Sequence, residues 1–195
     1  MLYLVVILLA VIAVKVTKGR LLNIANIKFS KPWLFLFAAF LLIILRIIVS
    51  KGVEMPIYIS FIIQGIAYLM LLFGFWCNKR IIGLATIGVG FLLNVFVMMI
   101  NKGKMPVDID ILEKANINSS LDLIVKQIDL KHCILDYDTK LSFLADVIYI
   151  PSFLGWLMPI VSIGDLIIAI GLFLIIFIES KECKLCFENS EVNTN

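Results

Sequence analysis

The chain has 195 residues and a formal net charge of +3; 62% of it is apolar and only 16% charged, with a mean hydropathy of +1.08. A soluble domain carries about 45–50% apolar and about a quarter charged residues, and no water-soluble core of this size hides the excess. A soluble enzyme is therefore excluded, as is a string of several domains, because one compact membrane unit consumes most of the length.

Five stretches read as transmembrane helices against a requirement of roughly 17–25 apolar residues: 2–16, 33–50, 57–77, 81–100 and 162–178. The first is short, but Lys15 at its end can snorkel to lengthen it. It has no basic start and no small-x-small cleavage pattern, so it reads as a retained helix rather than a signal peptide. Pro32, Pro56, Pro106, Pro151 and Pro159 all fall outside the span interiors, as expected of helices that end where the apolar runs end.

Basic residues orient the bundle. Lys15, Lys18, Arg20, Lys28 and Lys31 follow the first span without an acid among them, and Lys79 and Arg80 occupy the turn after the third. The positive-inside rule places both in the cytoplasm, with the amino terminus outside and the carboxyl terminus cytoplasmic. The connection 101–161 holds eight acids against six lysines and falls outside. The expectation is an all-α integral membrane protein of the cell membrane. Its single membrane domain over 1–178 has five transmembrane helices with a mostly helical extracytoplasmic cap over 101–161, and 179–195 is a disordered cytoplasmic tail. No internal repeat suggests an inverted-repeat transporter.

Within the cap, Asp110 and Glu113 have capping-box spacing and predict a short helix near Ile111–Ala115. Ser119 and Asp122 predict a second, with Leu121, Ile124, Val125 and Ile128 on one stripe. The stretch Lys131–Pro159 reads as interfacial or re-entrant, with Trp156 at headgroup level.

Polar groups in hydrocarbon are costly and face partners or water. Four lie inside the spans: Arg46, Gln64, Asn94 and Asp165. At about 1.5 Å per residue they sit roughly 6, 10, 9 and 5 Å from the outer ends of their helices. They form one polar layer facing the cap. Interhelical hydrogen bonding is one reading of that layer, with Ser162 and Asp165 as a capping box; a water-accessible pocket is the other. Asn101, His132, Asp136 and Ser162 join the candidate binding residues. His132, with Asp136 at i+4, is a weak metal signature beside Lys131, and a hydrogen bond to the cap backbone suits it better. Cys133 lacks a partner set for catalysis. Cys183 and Cys186 make half a zinc site in the tail. Neither a metal, a cofactor nor a nucleic acid is expected.

The combination of the run Asn101–Val107 (NKGKMPV), Lys131–Asp136 (KHCILD), Thr139, Leu141, Phe143–Ile148 and Ser162–Asp165 resembles an uncharacterised bacterial membrane-protein family, catalogued as domain of unknown function 5317. That resemblance covers nearly the whole chain before the tail and implies no activity. A partial second resemblance links Ala145–Ile148 and Ser162–Gly171 to the last third of lipoprotein signal peptidases. Those aspartyl proteases carry one catalytic Asp in a Val-x-Asp-Phe-Ile-like stretch and another where the last helix opens. The resemblance implies Asp146 and Asp165 as a catalytic pair, 19 positions apart. Ser162 stands where the peptidases have Asn, and Asn94 lacks the Asp and Arg that follow their earlier Asn.

Taken together, the residues point to a small multi-pass membrane protein in contact with the lipid bilayer. It acts as a binding or accessory module for a membrane-inserted peptide or lipid-linked ligand, with its site on the extracytoplasmic side. The alternative is an intramembrane aspartyl-dyad hydrolase. A transporter ranks third, since the inner half of the spans offers no polar groups.

Overall fold

A computed structural model describes residues 2–51, 56–114, 132–150 and 160–181. Helices form on all five apolar stretches: α1 (Leu2–Val16), α2 (Trp33–Ser50), α3 (Ile57–Cys77), α4 (Ile82–Ile100) and, at the end, α6 (Ile163–Glu179). Unbroken runs of Leu, Ile, Phe and Ala dictate this, because in hydrocarbon only a helix satisfies every backbone group within its own segment. Three of them are long and apolar enough to cross a bilayer: α2, the Tyr58–Cys77 portion of α3, and α4; α1 is apolar but shorter. Large side chains such as Leu36, Leu69 and Trp76 are exposed on these helices. The chain is a multi-pass membrane protein whose outer helix surfaces contact lipid.

The helices do not pack in chain order. The final helix, α6, lies between α1 and α4, while α3 sits against α4 and α2 against α3. Glycines set the closest approach. A Cβ built on Gly90 would stand 2.5 Å from the Gly164 carbonyl oxygen, and one on Gly83 would stand 2.7 Å from that of Gly171. Gly83 and Gly90 on α4 thus face Gly171 and Gly164 on α6, so the two helices run antiparallel with backbones nearly touching. Small residues at helix contacts are how apolar helices associate where burial from water gives no driving force.

Of the expected mostly helical cap between α4 and α6, residues 115–131 and 151–159 lie outside the described residues. Its described residues contain four short strands beside the six-residue helix α5 (Ile109–Lys114): β1 (Met105–Val107), β2 (His132–Ile134), β3 (Ile148–Tyr149) and β4 (Ile160–Val161). β1 pairs parallel with β2, and β3 pairs antiparallel with β4. On its other side β1 bridges Asp146 through Val107. Asp146 N–H donates to the Pro106 carbonyl at 3.0 Å, and Asp108 N–H donates to the Asp146 carbonyl at 3.3 Å. Strands of two or three residues are too short to show alternation, which is why the sequence concealed them. Val107, Ile160, Ile111 and Ile134 pack together beneath this ladder.

The cap of α5 differs from expectation. The helix begins at Ile109, and it is Asp108, whose Oδ1 accepts from Asp110 N–H at 2.9 Å, that stands at its start. An Asp with its backbone still in the ladder can turn its carboxylate back onto the first free N–H groups, so the cap moves two residues upstream, from Asp110 to Asp108. The expected helix at Leu121–Ile128, the segment around Trp156 and the cysteines Cys183 and Cys186 lie outside the described residues.

A candidate acidic site at the cap end

Two features of the chain converge on one end of the bundle. The first is the start of α6. Ser162 Oγ accepts from Asp165 N–H at 3.0 Å, and Asp165 Oδ2 accepts from Ser162 N–H at 3.2 Å. This is the reciprocal capping box that the Ser-x-x-Asp spacing predicts. Capping uses one carboxylate oxygen and leaves Oδ1 to other elements. Oδ1 accepts from Asn94 Nδ2 of α4 and from the Tyr3 hydroxyl of α1, each at 3.0 Å. Ser162 Oγ in turn donates to Asn94 Oδ1 at 2.9 Å. Tyr3, Asn94, Ser162 and Asp165 form one closed network across three helices. The close approach of Gly164 permits it, since a Cβ there would strike Asn94 Oδ1.

The second feature is Asp146. The antiparallel register pairs Ile148 with Val161 and Tyr149 with Ile160, so β3 and β4 carry Asp146 toward the first turn of α6. The residue is 9% exposed. Its Oδ1 is buried and finds no hydrogen-bond partner among the described residues, while its Oδ2 lies 3.9 Å from His132 Nε2. Burial, reinforced by the neighbouring Asp165 charge, pushes the Asp146 carboxyl up to about 7. Burial is the larger cause, because taking a carboxylate out of water disfavours its charged form.

The remaining expected site residues are placed elsewhere. Gln64 Nε2 donates at 3.4 Å to Ser60 Oγ on its own helix. Arg46 is exposed on α2. Neither joins the Asn94–Asp165 network, so the expected layer of four residues reduces to two, completed by Ser162 and Tyr3. Asn101 clamps the end of α4: its Oδ1 accepts from Lys140 N–H at 3.1 Å and its Nδ2 donates to the Lys140 carbonyl at 2.9 Å. Asp136 closes a local turn, accepting from Thr139 Oγ1 at 2.7 Å and from Asp138 N–H at 3.1 Å. His132 and Asp136 therefore do not share a ligand set, because the segment is a strand and a turn rather than a helix. Among the described residues no three His, Cys, Asp or Glu side chains are grouped to hold a metal. Burial raises the Cys133 thiol, against a lowering by Lys104, which keeps it a poor nucleophile.

Tyr3 is the residue that the sequence concealed. A tyrosine at the end of an apolar helix reads as an interface anchor, and nothing in its neighbourhood connects it to a carboxylate 162 positions away.

Fold and site together define a multi-pass helical membrane protein with an acidic, hydrogen-bonded cluster at one end. Residues 26–177 match the model of the family described as "Family of unknown function (DUF5317)", and the chain belongs to that family. It is also 30% identical over 161 residues to an uncharacterized protein of Thermotoga maritima, covering 82% of this chain and 83% of the relative. No solved structure matches it.

Proposed function

We propose that all five apolar helices span the membrane, with the amino terminus and the cap outside and the carboxyl terminus cytoplasmic. We further propose that the protein is a binding or accessory module whose site is the acidic cluster. The helix packing supports this arrangement: antiparallel α4 and α6 put the cap, Tyr3 and Asp165 at one end, and Lys18, Arg20, Lys31, Lys79 and Arg80 at the other. The observation that carries the function is the buried Asp146 Oδ1, which lacks a partner among the described residues. A buried oxygen left unsatisfied costs about 1–3 kcal/mol, and a ligand N–H or O–H relieves that cost. Because the carboxyl is poised at about 7, it can donate as well as accept. A peptide amide, with one donor and one acceptor, fits such a group, which favours a membrane-inserted peptide or lipid-linked ligand.

A second reading is supported by the Asp165 charge, which after burial helps to raise the Asp146 carboxyl. An aspartyl-dyad hydrolase needs one protonated and one ionised carboxyl. Here Asp165 would take the proton of an attacking water while protonated Asp146 polarises the scissile carbonyl. The partial resemblance to lipoprotein signal peptidases points the same way.

Asp146→Asn and Asp165→Asn, singly and together, distinguish the readings when scored for membrane abundance and for the phenotype of a deletion. A binding site retains partial function in Asp146→Asn, because the amide keeps an acceptor and gains donors. A catalytic dyad loses function fully in each single variant and no further in the double. Full function in Asp146→Ala would overturn both. A reporter fused after Asn195 is expected to read cytoplasmic, and an outside reading would invert the topology.

A further inference from the structure

The end of the bundle opposite the acidic cluster carries a second organised feature, independent of the proposed function. The segment between α1 and α2 is not a slack loop. It forms a 3₁₀ turn at Leu21–Asn26 and is tied down at both ends. Near its start, Arg20 N–H and Asn23 Nδ2 both donate to the Ser180 carbonyl at 3.0 Å, just past α6. Near its finish, Ser30 N–H donates to Asn78 Oδ1 at 2.7 Å and Asn78 Nδ2 returns to the Ser30 carbonyl at 2.8 Å. Asn78, which is buried, thus imitates a strand neighbour and fastens the segment across the end of α3.

The clamp brings the residues that follow each partner together. Lys31 comes after Ser30, and Lys79 and Arg80 come after Asn78. The Lys31 ammonium rests 4.9 Å from the Phe73 ring centroid and that of Lys79 rests 4.4 Å from Trp76. Phe73 and Trp76 are three apart on α3 and so share a face. Lys31 also adopts φ +51°, a left-handed conformation that costs a non-glycine residue roughly 1–2 kcal/mol. Lys31, Lys79 and Arg80 are all exposed. No carboxylate among the described residues pairs with them. Phe73 and Trp76 are 49% and 66% exposed on a helix that contacts lipid.

We propose that Lys31, Lys79 and Arg80 form a binding site for the headgroup of one anionic phospholipid, with Phe73 and Trp76 receiving its acyl chains. The charge complements a phosphate, and the aromatic rings below the cations lie where a chain descends into the bilayer. Cations at a helix carboxyl end are favoured by the helix dipole in any case. Two of them held over exposed aromatic rings by a two-way clamp, with Arg80 next in the chain, is more than the dipole requires.

The test uses the full chain with Trp33→Phe and Trp156→Phe, leaving Trp76 as the sole tryptophan, excited at its red edge where tyrosine does not absorb. It is reconstituted in phosphatidylcholine vesicles containing one-fifth brominated lipid, either phosphatidylglycerol or phosphatidylcholine. The brominated anionic lipid is expected to quench Trp76 at least about twofold more strongly, as local enrichment by several cations implies. Lys31→Gln/Lys79→Gln/Arg80→Gln should abolish the difference, and Lys31→Arg/Lys79→Arg should keep it. Equal quenching by the two lipids in the otherwise unaltered chain overturns the proposal whether or not the glutamine variant folds. So does an undiminished preference in a folded glutamine variant.

Discussion

The Tyr3 hydroxyl donates to Asp165 Oδ1 at 3.0 Å, joining the first turn of the first helix to the first turn of the last. The same oxygen accepts from Asn94, so α1 and α4 are bound to α6 through one atom. Removing one donor leaves the other and the cap in place. Tyr3→Phe is expected to cost about 1.5–3 kcal/mol, the range for a hydrogen bond to a charged group. Asn94→Ala should cost more, because it also strips Ser162 Oγ of its acceptor. The two should be non-additive, since both act on one oxygen. Thermal unfolding in detergent of both singles and the double checks this, and strict additivity would mean that the bonds are independent.

Asp146 gives the fold a pH dependence of definite sign. Its carboxyl is raised from 3.8 to about 7 by burial first and the Asp165 charge second. The folded state therefore holds its proton more tightly than the unfolded state does. Between about pH 4 and pH 7 the unfolded chain has lost that proton and the folded one retains it, so stability falls as pH rises through this window. Asp146→Asn removes the titrating group. Its melting temperature should vary less between pH 5 and pH 8 than that of the parent and should exceed it at pH 8. A parent protein more stable at pH 8 than at pH 5 would contradict the assignment.

The glycine contacts sort substitutions by position. At Gly90 a Cβ would stand 2.5 Å from backbone, and at Gly164 it would meet Asn94; at Gly65 nothing lies within 4 Å. Gly90→Ala and Gly164→Ala must separate α4 from α6, at a cost of about 1–3 kcal/mol typical of overpacking. Gly65→Ala should be neutral or stabilise by up to about 1 kcal/mol, because it only restricts the unfolded chain and improves helix propensity. Parallel melting curves decide it, and equal effects at the three positions would contradict the packing.

Asn78 makes three side-chain bonds, one accepted from Ser30 N–H and two donated to the Ser30 and Gly74 carbonyls. Asn78→Ala frees the segment from the end of α3 and leaves the Gly74 carbonyl without that donor. Amide exchange is expected to rise around Ser30 while staying slow in α4 and α6. Unchanged exchange at Ser30 would show that the clamp is dispensable.

The amino-acid sequence by itself determined that this is a membrane protein and where its apolar helices lie, because twenty-residue hydrocarbon runs have one satisfactory backbone conformation. It determined the capping box of Ser162 and Asp165 for a similar reason: the bond pattern closes within four residues. Only tertiary structure decided that α6 slots between α1 and α4, since the five long helices are all predominantly apolar and hydropathy ranks no partner above another. Only the tertiary structure recruited Tyr3 and dismissed Gln64 and Arg46 from the layer, because depth along a helix does not specify the direction a side chain faces. The cap ladder was likewise settled by pairing between segments far apart in the chain. That pairing sets Asp146 in a buried environment and raises its carboxyl, a property that belongs to its surroundings rather than to its residue type.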